Sequence, residues 1–205
     1  MTVRATVESD LETTPARSYD VPTMPLPSIT WQDVQQMPDD GNRYEAIEGD
    51  LYMTPAPTPR HQILLLRLYD ALRPLLSKAG HGVLLVAPVG VEFPATGEGV
   101  QPDILFVSNE RRGIIQHRLL IGAPDLVIEI LSPSTAGRDR SIKLRLYKRQ
   151  GVREYWIVDP DENAVDVWRF GEAPEREHFT TTFPVRLGTE QVGAIDLASI
   201  FAPDF

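Results

Sequence analysis

The sequence predicts a mixed α/β domain, a central sheet flanked by helices. Three observations carry this. The runs 103–107 and 125–131 are short, rich in Val, Ile and Leu, and bounded by Gly or Pro. Such runs suit strands covered on both faces. Between 59 and 79, Leu64, Leu68, Ala71, Leu72, Leu75, Leu76 and Ala79 recur at helical spacing. A second amphipathic stretch, 139–150, follows the second strand, with Ile142, Leu146 and Tyr147 as its stripe.

Taken in order, residues 1–27 hold few large apolar side chains and Pro15, Pro22, Pro25 and Pro27, and read as a flexible arm. A single domain is expected over 28–205. Thr30 caps a short helix, Trp31–Met37, stopped by Pro38. Tyr44–Met53 reads as a strand or hairpin around Gly49-Asp50. Thr58-Pro59 starts the long helix, with Thr as N-cap and Pro at the first helical position. Pro74 bends or breaks it, and Gly80 closes it. Val83–Val86 and Val89–Phe93 are strand-like. Gly151 ends the second helix. Glu154–Asp159 and Ala164–Phe170 form a hairpin around Pro160–Asn163. Phe179–Val185 adds a strand. The tail packs back through Ile195, Leu197, Ile200 and Phe201.

The chain has 205 residues and no cysteine, which excludes disulfides, thiolate catalysis and thiolate-bound zinc. No run approaches the roughly 18 apolar residues that cross a bilayer, and 1–20 lacks the apolar centre of a signal peptide. A cytoplasmic protein with no membrane contact is expected. The net charge of −9 argues at first against nucleic acid, but it is unevenly spread. Residues 1–50 and 159–205 each carry −7, and 51–158 carry +5. Within that middle, Arg138, Arg140, Arg145, Lys148 and Arg149 follow the second strand as candidate backbone contacts. A solvated helix face explains them equally well.

Two acids stand out. Glu129 is the only charge in the middle of its apolar strand, and Asp103 enters the other strand directly after Pro102. Isolated carboxylates in such runs are costly to bury without partners. If the strands are neighbours, both acids reach one cation, and hard oxygen donors with room for water and phosphate suit Mg²⁺ or Mn²⁺. Lys143 borders the apolar stripe of the following helix and can point to the sheet. There it would orient a water or offset charge on a phosphate.

The motifs Tyr44-Glu45-Ala46-Ile47-Glu48-Gly49, His61-Gln62 after Pro57, Pro102-Asp103, Pro124-Asp125-Leu126-Val127-Ile128-Glu129, Ser132-Pro133-Ser134 and Gly151-Val152-Arg153-Glu154-Tyr155-Trp156 resemble the Uma family of endonucleases. That family lies within the PD-(D/E)XK nucleases of restriction-endonuclease-like fold. The resemblance covers about 29–203. It implies Asp103 and Glu129 as metal ligands and Lys143 as the catalytic cation, with Glu45 as a further acid and His61 close by. DNA is the implied substrate and a homodimer the implied assembly, for which the 154–170 hairpin is a candidate contact. One departure matters: the superfamily lysine, two residues after the strand acid, is Leu131 here, and Lys143 takes its place.

Other readings stay open at this point. Asp103 alone also fits a strand-start cap, and Glu129 with Lys143 a structural ion pair. Asp125 and Asp139 read as turn and cap residues, Ser132 and Ser134 as a strand-to-helix loop. A catalytically silent DNA-binding or regulatory protein of the same fold, or an interaction module with an ion-pair cluster, would carry the same residues.

Overall fold

The computed structural model describes residues 28–173 and 175–203. The arm expected at 1–27 lies outside them. The described chain enters at Ile29, whose N–H donates to the Gly49 carbonyl (2.8 Å). Helix α1 (Trp31–Val34) begins where Asp33 accepts from the Thr30 N–H and hydroxyl, and it ends three residues earlier than expected. Strands β1 (Arg43–Ile47) and β2 (Asp50–Thr54) form the hairpin. Its turn is Glu48-Gly49, both at positive φ, one residue before the expected one. Helix α2 (Pro59–Leu75) is capped by Thr58 as predicted, with Pro74 in its last turn. Strands β3 (Gly82–Val86), β4 (Val91–Phe93), β5 (Glu98–Val100), β6 (Ile104–Ser108), β7 (Leu120–Ile121) and β8 (Leu126–Ile130) follow.

After β8 the chain turns through α3 (Ala136–Arg138), a π turn (Asp139–Lys143) and α4 (Leu144–Gln150), closed by Gly151 at φ 83°. Strands β9 (Glu154–Asp159), β10 (Ala164–Arg169) and β11 (Glu175–Phe179) complete the main sheet, and β12 (Thr182–Leu187), β13 (Glu190–Asp196) and α5 (Leu197–Ile200) end the fold. The strand expected at 179–185 is thus split. Phe179 closes β11, a turn intervenes, and β12 pairs with β13 instead.

The six-stranded sheet has the order β11-β10-β9-β8-β6-β3, and the five-stranded one β2-β1-β5-β4-β7. In the larger sheet only β8 and β9 run parallel, joined by the α3–α4 crossover. Its two faces follow the strand alternation. Ile104, Phe106, Ile128 and Trp156 pack under α2, against Leu64, Leu68 and Leu72. Leu105, Val107, Val127, Tyr155 and Ile157 face α4 and the smaller sheet, against Leu146, Tyr147 and Val100. Each fully buried leucine of α2 contributes about 2 kcal/mol, which fixes the helix despite its proline. Gly99 in β5 lies beneath the Trp31 ring, where a Cβ would come within 2.2 Å, so α1 can dock only on a glycine.

The 154–170 hairpin is not the exposed apolar edge expected for a contact between two copies. Strands β9 and β10 lie inside the sheet, flanked by β8 and β11, and Tyr155, Trp156, Val165 and Val167 are buried. Among the described residues no helix is long and apolar enough to cross a membrane.

Candidate active site

Strand register brings the two acids together. In the antiparallel β6–β8 pair, Ile104 faces Ile128 and Leu105 faces Val127. Asp103 immediately precedes β6, and continuing this register by one residue sets it opposite Glu129, on the same face. Both line a cavity of about 200 Å³, as do Glu45, His61, Asp139 and Lys143.

Asp103 is held at both oxygens. Oδ1 accepts from Arg43 Nη1 (2.8 Å). Oδ2 accepts from the Ile130 N–H (2.9 Å) and lies 3.1 Å from His61 Nε2. The Thr58 cap sets His61 in the first turn of α2, pointing at the strand ends. Arg43 and Glu45 alternate on β1, so both face the cavity. Glu45 Oε1 accepts from the Gln101 N–H (2.9 Å) and from Lys143 Nζ (3.0 Å).

Lys143 ends the π turn and is only 3% exposed. Single π turns inside helical segments are frequent at functional sites. Here Nζ lies 2.8 Å from Glu129 Oε1 and 3.7 Å from Asp139 Oδ1. The Tyr147 hydroxyl donates to the same Glu129 oxygen (2.6 Å), and the Tyr155 hydroxyl to the Asp139 carbonyl (3.1 Å). Position 131 is a leucine, and Lys143 is the residue that sets an ammonium beside Glu129.

The cavity wall carries four carboxylates (Glu45, Asp103, Glu129, Asp139) against the cations Arg43, Arg138 and Lys143. The excess falls on Glu129. Burial pushes its pKa up to about 7; Lys143 opposes the rise, while Asp103, Asp139 and Glu45 add to it. Burial acts likewise on Asp103, but the His61 and Arg43 contacts and the Ile130 N–H outweigh it and hold the acid at about 2. Burial also works against a charged Lys143, yet Glu129, Glu45 and Asp139 raise it above its ordinary value.

These residues fit a hard divalent cation in donor type and in charge. Glu45 Oε2 and Asp139 Oδ1 are buried without a hydrogen-bond partner, and a cation would relieve the pressure on Glu129. Among the described residues no three acidic or histidine side chains form a ready-made metal cage. Within the cavity, Arg43 and His61 already occupy the Asp103 oxygens.

The candidate backbone contacts fare differently. Arg138 is largely buried. It donates to the Thr54 hydroxyl (2.6 Å), lies 3.6 Å from Glu45 Oε2 and sits over the Tyr52 ring. Arg140 pairs with Asp159 and Asp166, Arg145 with Glu48, and Arg149 with Glu48 and Glu98. Lys148 alone of the five has no ion-pair partner among the described residues. Sequence reasoning missed Arg43 and gave Asp139 only a capping role. The i, i+4 spacing of Asp139 and Lys143, and the alternation of Arg43 with Glu45, were the available signals.

The mixed sheet flanked by helices is the architecture expected of the restriction-endonuclease-like class. The family Uma2, described as "putative restriction endonuclease", matches residues 31–196. The chain belongs to this family. A crystal structure from Anabaena variabilis, described as "a putative nuclease belonging to DUF820", aligns with a TM-score of 0.69. The alignment covers 85% of this chain and 98% of that one at 22% identity, a likeness of fold. An uncharacterized protein of Synechocystis sp. is 24% identical over 149 residues, 72% of this chain and 77% of the relative.

Proposed function

We propose that this protein is a divalent-metal-dependent endonuclease that hydrolyses phosphodiester bonds in DNA. The observation that carries the reading is the convergence of Asp103, Glu129 and Lys143 on one cavity, with Lys143 Nζ 2.8 Å from Glu129. A structural ion pair alone does not call for a second buried acid, opposite Glu129 in register and open to the same cavity. Asp103 and Glu129 would hold Mg²⁺ or Mn²⁺. When bound, such an ion polarises the phosphate and lowers the pKa of a coordinated water. Lys143, kept protonated by its acids, offsets charge that develops on the phosphate oxygens. Glu45 orients Lys143 from the opposite sheet, and Tyr147 fixes the Glu129 rotamer. Arg43 stands at the cavity wall, where a phosphate would meet it as it leaves Asp103.

Plasmid cleavage with Mg²⁺ or Mn²⁺ tests this. We expect chelator-sensitive nicking by the wild type, reduced at least about 100-fold in Asp103→Ala and Lys143→Ala, the order of loss typical of removed transition-state contacts. Cleavage indifferent to both substitutions would sink the assignment.

A further inference from the structure

We propose that a base of an unpaired DNA segment is bound in the cavity between α1, α2 and β1, so that the enzyme acts on single-stranded or frayed DNA. The inference rests on the endonuclease reading for the place of the phosphate. That cavity, about 400 Å³, adjoins the acidic one, and the Arg43–Asp103 pair lines both. A nucleotide whose phosphate meets Arg43 on one side therefore has its base within reach on the other.

The wall has the chemistry a base requires. Half-buried Met37 supplies apolar surface for a planar ring, backed by buried Leu65, and Tyr44 an aromatic one. Asn42, Gln62 and Gln101 supply amides, which donate and accept together and match base edges. Gln101 ties this cavity to the catalytic one. Its main-chain N–H donates to Glu45, its carbonyl accepts from Arg43 (3.3 Å), and its side chain donates to the Tyr44 carbonyl (3.2 Å). Its amide oxygen has no hydrogen-bond partner among the described residues and is open to a ligand. A base is thereby read in fixed register with the phosphate.

Two further observations favour an unpaired strand. The volume falls within the roughly 300–1,000 Å³ of small-molecule sites, and a base can enter such a site only out of the stack. Four of the five cations after β8 also face acids (Arg138, Arg140, Arg145 and Arg149), whereas duplex binding draws its affinity from cations free to meet phosphates. Grip on bases replaces grip on charge.

The test is fluorescence anisotropy of the full chain with a labelled mixed-sequence single strand, with its duplex, and with an abasic strand of equal length. We expect the intact single strand to bind at least about tenfold more tightly than the duplex or the abasic strand, about the contribution of one stacked base. Met37→Trp, which fills the cavity, should bring the intact strand down to the abasic level. Gln62→Ala, at an exposed helical position, is the second variant should the tryptophan prevent folding, and should weaken the intact strand alone. Equal affinity for intact and abasic strands, preference for duplex, or no binding of any strand would overturn the proposal. Hydrolysis of the base-free diester bis(p-nitrophenyl) phosphate judges the catalytic reading separately. Its absence would count against the endonuclease and leave the strand comparison readable.

Discussion

On the proposed function, Glu129 is the residue in which activity and stability oppose each other. Its carboxylate is buried with Lys143 as its ion-pair partner, while three other acids face it. A folded-state pKa of about 7 against an ordinary 4.5 means that the folded protein holds a proton the unfolded chain has released between those values. Stability from this group is complete below pH 4.5 and is lost as pH rises through 7. Relative to the wild type, Glu129→Gln should therefore be more stable at pH 8 than at pH 5, and should flatten the dependence between those values. An unchanged slope in thermal melts across that range would refute the assignment. Asp103 acts in a separate window: its lowered pKa contributes above pH 3.8 and is lost as pH falls toward 2. Both acids were legible in the sequence because a charge in an apolar strand is conspicuous. Arg43 was not, since an arginine at the start of a half-polar strand has the look of a surface residue until the opposing acid is placed.

Among the elements, the segment from α3 to α4 does most to build the site, and two glycines separate its local requirements. Gly151 closes α4 at φ 83°, a conformation that disfavours a side chain although its Cβ would meet open space. Gly137 lies in α3 at negative φ, also with nothing within 4 Å of a Cβ. Gly151→Ala should destabilise by about 1 kcal/mol and Gly137→Ala stabilise by about 0.5–1 kcal/mol, both read by urea denaturation. Equal signs would show that the helix ends are set by something other than backbone freedom. The sequence exposed this helix and its glycine stop, because apolar spacing and Gly151 are local signals. It did not expose the π turn, which depends on Lys143 reaching Glu129 and Tyr155 reaching the Asp139 carbonyl across the fold. The short strands β5 and β7 were missed for a related reason. Two or three residues carry no period, and only their partners make them strands.

At the scale of the molecule, the site joins two sheets. Glu45 comes from the smaller, Asp103 and Glu129 flank the β6–β8 pair of the larger, and Lys143 bridges them. Patterning showed one central sheet, since an arrangement of two sheets depends on pairings between β1 and β5 that no single segment announces. A ligand that neutralises the shared cluster should stabilise the whole fold by mass action. Mg²⁺ should raise the melting temperature more at pH 8 than at pH 6, where protonated Glu129 competes with it, and Glu129→Gln should abolish the shift. A shift that ignores both pH and the substitution would place the ion elsewhere.

The opposition of Asp103 and Glu129 has a mechanical consequence. Residues on neighbouring strands are spaced by the backbone ladder, about 4.5–5.5 Å between their Cβ atoms, and a ladder buried on both faces scarcely stretches. That ladder fixes Glu129, and Asp103, one residue before its first pair, is tied to it through the Ile130 N–H. Any gating of the site must come from parts that can swing clear, namely the Arg43 and His61 side chains that occupy Asp103 from either side.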